Sequence, residues 1–278
     1  MFTLNEGLFL LQLAAPLGSA FIGGRLIEFY HRVGAAQPNY RGRAIPAALG
    51  PALLLGYLPG TAAAHWLGGT APSFAVLFLW FGFAFLGLWD DLVMEKTSGF
   101  KGHFQAAWRG KITAGFLKTA LGLLVGLLFC GNLPLSPWRR LAALLLILLS
   151  ANGLNLFDRR PGRALKVFFP GAILLMFMAS VPGAAVRLLL PLVVGALTVA
   201  PLDLEARAML GDCGANLLGA ALGAGAVLYL TPASQVILLL FWAAVHLFCE
   251  FYSISVLIEK SPFLRRLDCL GRFRERFS

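Results

Sequence analysis

Nine apolar runs follow one another along the chain, near residues 4 to 26, 46 to 67, 72 to 90, 112 to 131, 139 to 157, 165 to 182, 184 to 201, 213 to 231 and 234 to 258. Each has about the 17 to 25 residues that a helix needs to cross roughly 30 Å of hydrocarbon. Backbone N–H and C=O groups find no water there, so runs of this length span as helices. With 278 residues, 59% of them hydrophobic and 13% charged, the chain is too apolar for a soluble domain and too rich in long apolar runs for disorder. The expected fold is an all-α, polytopic membrane bundle of about nine helices over residues 1–258, followed by a basic tail over 259–278. No internal repeat or low-complexity linker divides it. Pro51, Pro59, Pro170 and Pro191 interrupt several runs, which neighbouring helices tolerate by re-satisfying the freed backbone groups. The first run is expected to be retained as a span, because no Lys or Arg precedes Arg25 to form the basic region of a signal peptide. Cys130, Cys213, Cys249 and Cys269 lie far apart and suggest neither a disulfide framework nor a zinc site.

Basic residues are retained on the cytoplasmic side of a membrane. With the N-terminus outside, the inside connections and tail hold nineteen Lys and Arg, and the outside ones hold only Arg139, Arg140 and Arg187. The expected location is therefore the cell inner (plasma) membrane, multi-pass, with the C-terminus cytoplasmic. The net charge of +10 comes from the cytoplasmic face, where it attracts anionic headgroups and phosphorylated substrates. Nucleic acid is a poor partner for a chain with no soluble basic domain.

The same orientation gathers the polar clusters on one side. Asp90 and Asp91 end the third run, Asn152, Asn155 and Asp158 end the fifth, and Asp203, Glu205 and Asp212 lie between the seventh and eighth. Acidic groups at a bilayer edge cost several kcal/mol unless solvated, paired or bound to a cation. Salt-bridged loop charges are one explanation for any single cluster. For three of them at one face, phosphoryl transfer is the chemistry that needs the mixture: carboxylates hold Mg²⁺, the metal neutralises phosphate oxygens, and Lys or Arg stabilises the spreading charge.

Five stretches taken together resemble the polyprenyl-phosphate N-acetylhexosamine 1-phosphate transferase superfamily, glycosyltransferase family 4, which includes phospho-N-acetylmuramoyl-pentapeptide transferase. They are the basic loop from Asn39 to Gly50, with Arg41, Arg43 and a Pro46-Ala47-Ala48-Leu49-Gly50 ending; Asp90-Asp91; Arg109-Gly110-Lys111-Ile112; Asn152-Gly153-Leu154-Asn155-Leu156-Phe157-Asp158; and Met209-Leu210-Gly211-Asp212-Cys213-Gly214-Ala215. Each is weak alone. In this order, each at a cytoplasmic helix end, they cover about residues 1 to 258. The resemblance implies that a polyprenyl phosphate displaces UMP from a UDP-sugar, with Mg²⁺ as cofactor, giving a polyprenyl-diphosphate sugar for cell-envelope glycan synthesis.

It also implies roles. Asp212 is the expected Mg²⁺ ligand, with Asp90 beside it, and Gly211 and Gly214 let the backbone approach a diphosphate. The alternative for Asp212 is a helix N-cap. Asp90 and Asp91 position the metal and the acceptor phosphate, which is already ionised at neutral pH and needs little proton abstraction. Asp158, Asn152, Asn155 and Arg43 hold the nucleotide or its phosphates, and Lys111 supplies positive charge to the transferring group. An interhelical hydrogen bond is the competing role for Asn155, and a membrane-face anchor for Lys111.

Other polar residues read more blandly. His246 and Glu250 share a helix face and are placed to pair. Lys118 lies seven residues after Lys111 on nearly the same face, extending a cationic stripe or snorkelling to the interface. His103 reads as a solvated loop side chain. Two departures stand out: Pro161 replaces the family's second aspartate among Arg159, Arg160, Arg163 and Lys166, and no histidine follows His246. Instead Phe263, Leu267, Leu270, Phe273 and Phe277 alternate with Arg265, Arg266, Arg272 and Arg276, the pattern of an amphipathic helix lying on an anionic membrane surface. Packing of that tail against the bundle is the alternative. A noncatalytic homologue that binds polyprenyl phosphate or scaffolds envelope assembly, and a transporter, are the competing functions; a homodimer is compatible with any of them.

Overall fold

The computed structural model describes residues 3–39, 42–93 and 114–272. Helix α1 (Leu4–Ala14) is started by a capping box between Thr3 and Glu6 and runs through a 3-10 turn at Ala15–Gly18 into α2 (Ser19–Arg32). Two short strands, β1 (Gln37–Pro38) and β2 (Ala44–Ile45), pair antiparallel and lead into α3 (Leu49–Trp66). Then come α4 (Phe74–Val93), α5 (Ala114–Gly131), α6 (Pro137–Phe157), α7 (Arg163–Met178), α8 (Pro182–Leu204), α9 (Gly211–Tyr229) and α10 (Pro232–Phe251). Two short helices, α11 (Ile254–Lys260) and α12 (Pro262–Cys269), complete the described chain. Proline opens α6, α8, α10 and α12 at the first helical turn, where its missing N–H has no helical partner to lose.

The protein is an all-α, membrane-embedded bundle. Six helical rods among the described residues are long and apolar enough to cross a bilayer: the continuous Leu4–Arg32 rod, α4, α6, α8, α9 and α10. The runs at 46 to 67, 112 to 131 and 165 to 182 are also helical, as α3, α5 and α7, but these are shorter or less apolar. The two largest boundary differences from the sequence reading lie at the ends of the first and last runs. The first rod continues to Arg32, one turn and more past residue 26. The last run breaks at Tyr252 and Ser253, whose extended backbone separates α10 from α11, so that the 258/259 division falls inside α11.

Helix α9 is the hub, with 16 of its 19 residues buried. It packs on α6 and α4 and also touches α3, α7 and α8. Its small residues explain the position. A Cβ at Gly219 would strike the backbone of Ser150 and Ala151, and one at Gly223 would crowd Ile147, so α6 and α9 approach at backbone distance. The outermost helix shows the reverse. Along α10, mean hydropathy is 1.8 but only 6% of the span is buried, whereas α9 has 1.2 and 89%. Apolar surface is thus turned outward, as it must be where lipid is the solvent. Trp242, the one buried residue of α10, lies against Gly153 of α6.

The C-terminal segment is fastened to the bundle. The Asp268 carboxylate accepts two hydrogen bonds from the Arg163 guanidinium, at 2.9 and 3.0 Å, and one from Arg272 at 2.8 Å. Lys166 donates to the Asp268 carbonyl, and Arg272 to the Pro161 carbonyl. Burial would raise the Asp268 pKa, but the hydrogen bond from Arg163 and the charges of Arg272, Arg163 and Lys166 outweigh it and hold this carboxyl below its ordinary value. Phe263 and Leu270 face outward, 69% and 68% exposed. The tail therefore packs by its polar side and presents its apolar side; Phe273, Arg276 and Phe277 lie outside the described residues.

Candidate active site at one end of the bundle

Four chain segments meet at the N-terminus of α9. The backbone N–H groups of Leu49 and Gly50, at the start of α3, donate to the carbonyls of Met209 and Leu210, at 3.3 and 3.1 Å. Met209 in turn donates to the Pro46 carbonyl, at 2.9 Å. These bonds lay the Pro46 to Gly50 stretch along the turn that leads into Gly211-Asp212-Cys213-Gly214. A Cβ at Gly50 would collide with the backbone of Gly214, and one at Gly87 with the Asp212 carbonyl. Close approach of α3 and α4 to the start of α9 therefore requires glycine at both places.

Asp91, at the end of α4, is buried, at 8% exposure. Its two carboxylate oxygens accept the N–H groups of Asp212 and Cys213, each at 3.0 Å, and so cap the positive end of α9 from another helix. Gly211 takes φ +70, and a Cβ there would lie 2.7 Å from an Asp91 oxygen. The Gln37 side chain donates to the Asp91 carbonyl, which ties β1 to the same point. Asp91 is thus occupied by backbone, and Gly211 and Gly214 are buried against Asp91, Ala47, Leu210 and Gly50. What these glycines admit is neighbouring protein.

Asp90, one residue earlier, faces elsewhere. Its Oδ2 lies 2.6 Å from Lys118 Nζ on α5, and the same ammonium lies 2.6 Å from Oδ2 of Asp212. These groups remain partly accessible, with side-chain exposures of 22% for Lys118, 37% for Asp90 and 29% for Asp212. Asp90 and Asp212 are also within hydrogen-bonding reach of each other, and the Asn155 side chain reaches Asp212. Asp158, capping the end of α6, receives the Gly211 N–H. Its carboxyl is pushed well above its ordinary value, by burial first and then by the charges of Asp203, Asp212 and Asp91.

The structure thus brings together Asp90, Asp91, Asp158, Asn155, Asp212, Gly211 and Gly214. It separates Asn152, which is exposed and pairs at 3.0 Å with Nε2 of His246 on α10. His246 Nδ1 bonds the Trp242 carbonyl, so the histidine's partners are Asn152 and its own helix in place of Glu250. Arg43 is exposed beside the β1–β2 turn, its backbone N–H bonded to Asn39. Lys111, Arg109, Arg41 and His103 lie outside the described residues. Part of the cationic group that accompanies Pro161 serves the C-terminal segment: Arg160 pairs with Glu259, and Arg163 and Lys166 hold Asp268.

Lys118 is the member that the sequence left between extending a cationic stripe and snorkelling to the interface. Its signal was present, as the one Lys or Arg inside an apolar run that did not belong to a connection. Asp203 was likewise grouped with loop charges, yet it is buried and accepts the Gly162 N–H at 2.9 Å, fixing the turn after Asp158. Among the described residues, no group of three or more His, Cys, Asp and Glu side chains is disposed to hold a metal ion. No protein-family model matches the chain, and no curated protein matches it either.

Proposed function

We propose that the protein transfers a phospho-sugar from a UDP-sugar to a polyprenyl phosphate in the plasma membrane. In this reading nine helices span, the N-terminus lies outside, and the carboxylate end of the bundle faces the cytoplasm. A phosphate oxygen of the lipid attacks the sugar-bearing phosphorus of the nucleotide, the bond from that phosphorus to the bridging oxygen breaks, and UMP leaves with that oxygen. The products are a polyprenyl-diphosphate sugar and UMP. The observation that supports this most is the pairing of Asp90 and Asp212 on a single cationic group, with Asn155 and Asp158 beside them, at a bundle end.

The donor set suits Mg²⁺. That ion is commonly held by one or two carboxylates, with waters and substrate phosphate oxygens completing its shell, so a pair of aspartates is a sufficient protein contribution. Asp90 and Asp212 are the residues that would hold it; when bound, it would neutralise phosphate oxygens as a Lewis acid. Asp91 keeps the α9 N-terminus in place, which fixes Asp212. Asn155 orients the Asp212 carboxylate, and the remaining cationic side chains attract the anionic substrates.

A polyprenyl-phosphate-binding scaffold is the competing reading, favoured by the Lys118 bridge, which pairs both carboxylates from within the protein. Purified protein incubated with Mg²⁺, undecaprenyl phosphate and a panel of labelled UDP-sugars separates the two. Transfer predicts release of UMP together with lipid-linked sugar, and a loss of about a hundredfold or more in Asp212→Asn, as expected when a group stabilising developing charge is removed. No turnover with any donor, with lipid binding unchanged in Asp212→Asn, refutes it.

A further inference from the structure

We propose that Lys118 is a built-in counter-ion that competes with a divalent cation for the carboxylates of Asp90 and Asp212. The inference rests on the reading that a divalent cation acts at this site. Its ground is geometric. One ammonium lies 2.6 Å from an oxygen of each carboxylate, and the three groups come from three different helices, α5, α4 and α9. Two carboxylates brought within reach of each other repel unless a positive charge stands between them. Lys118 supplies that charge from the protein itself, so the pair is kept together before any ligand arrives.

The place where the ammonium stands is also the place a metal would take. Mg²⁺ would draw on the same two carboxylates, because both oxygens of Asp91 are committed to backbone N–H groups. Nζ and a divalent ion cannot share so short a gap, and their charges repel. Lysine suits an exchange of this kind. Its charge sits at the end of a flexible four-carbon stem, and here the side chain keeps 22% exposure, which leaves it a path outward. Once displaced it stays close enough to meet the phosphate groups that a bound metal attracts. A single group then serves as counter-cation to the two carboxylates and, once displaced, as a phosphate contact.

The test uses the full-length protein in detergent and Mn²⁺ alone as the probe, with binding read by electron paramagnetic resonance or calorimetry. Lys118→Met removes the competing charge and is expected to tighten Mn²⁺ binding by about tenfold or more, in line with the loss of a unit charge a few ångströms away at the effective dielectric of a partly buried site. Lys118→Arg keeps the charge and is expected to bind no more tightly than the native protein. Adding Asp212→Asn to Lys118→Met is expected to abolish the gain. Binding that is unchanged or weaker in Lys118→Met overturns the proposal, as does a gain that survives Asp212→Asn. Should Lys118→Met fail to fold, the native protein carries the test: Mn²⁺ is expected to increase modification of Lys118 by an amine-reactive reagent, read by mass spectrometry, and no increase overturns the inference. Neither readout involves a nucleotide sugar. Failure of transfer with Mn²⁺ competition intact would sink the transferase reading and leave this one standing.

Discussion

Replacing Asp268 by Asn should release the C-terminal helices from the bundle. The carboxylate faces Arg163, whose side chain is 5% exposed, and Arg272 at 16%, while Asp268 itself is 10% exposed. Removing one member of a buried ion pair costs about 3–5 kcal/mol, because it strands the other charge away from water. The low end applies here: Arg163 keeps a hydrogen bond to Ser255 Oγ at 3.0 Å, and Asn still offers one acceptor. At about 3 kcal/mol, the undocked population of α11 and α12 rises by roughly two orders of magnitude. Hydrogen exchange on the full-length protein in nanodiscs reads this directly. Amides of residues 254–272 should exchange about a hundredfold faster in Asp268→Asn, while those in the middle of α9 keep their native rates. Combining Arg163→Met with Asp268→Leu removes the most buried pair and should recover part of the protection, since Arg272, which loses the same carboxylate, keeps its hydrogen bond to the Pro161 carbonyl. Exchange within a few-fold of native in the single variant would refute the argument. The pH dependence follows from the same contacts. A carboxyl held below its ordinary value stabilises the docked state above the unfolded carboxylate range, and the contribution is lost as pH falls through the depressed folded value. Docking should therefore persist through neutral and mildly acidic pH and weaken only below about pH 4.

Two further substitutions probe the α4–α9 junction. In Gly87→Ala the new Cβ meets the Asp212 carbonyl and the Cys213 nitrogen, neither of which can rotate aside, and the variant should be destabilised by about 1–3 kcal/mol or more; a melting temperature equal to native in detergent would contradict it. Asp91→Asn replaces one of two acceptors by a donor that faces a backbone N–H, a loss of about 1–3 kcal/mol. That loss should appear as faster exchange at Asp212 and Cys213 with the centre of α9 unaffected, and uniform exchange changes along α9 would contradict the capping role.

Much of the bundle was legible in the chain because lipid leaves the backbone few choices. Each apolar run became a helix, and the structure starts three of them at the prolines 137, 182 and 232, just ahead of the runs read at 139, 184 and 234. The run that ended wrongly did so for a local reason: the break at Tyr252 and Ser253 interrupts a stretch whose hydropathy continues through Ile254 to Ile258, so composition could not show it. Packing of the tail on the bundle was one of two readings of the chain, but the polar contacts that hold it were not legible there. Asp268 is one acid among many arginines, and only folding sets Arg163, 105 residues away in the chain, beside it.

The candidate site divides along the same line. Which residues carry charge at one end of the bundle follows from the sequence, since each motif sits where a helix must emerge from hydrocarbon. What each carboxylate does there does not. Asp90 and Asp91 are neighbours in the chain but about 100° apart around α4, so they meet different partners: Asp91 caps α9, and Asp90 faces Lys118. The sequence by itself determined a membrane-embedded helical bundle with acidic helix ends. Tertiary packing decided that the glycine-rich α9 is its centre, that one aspartate is structural and its neighbour paired, and that a lysine supplies their cation, because those outcomes depend on which helix faces lie together.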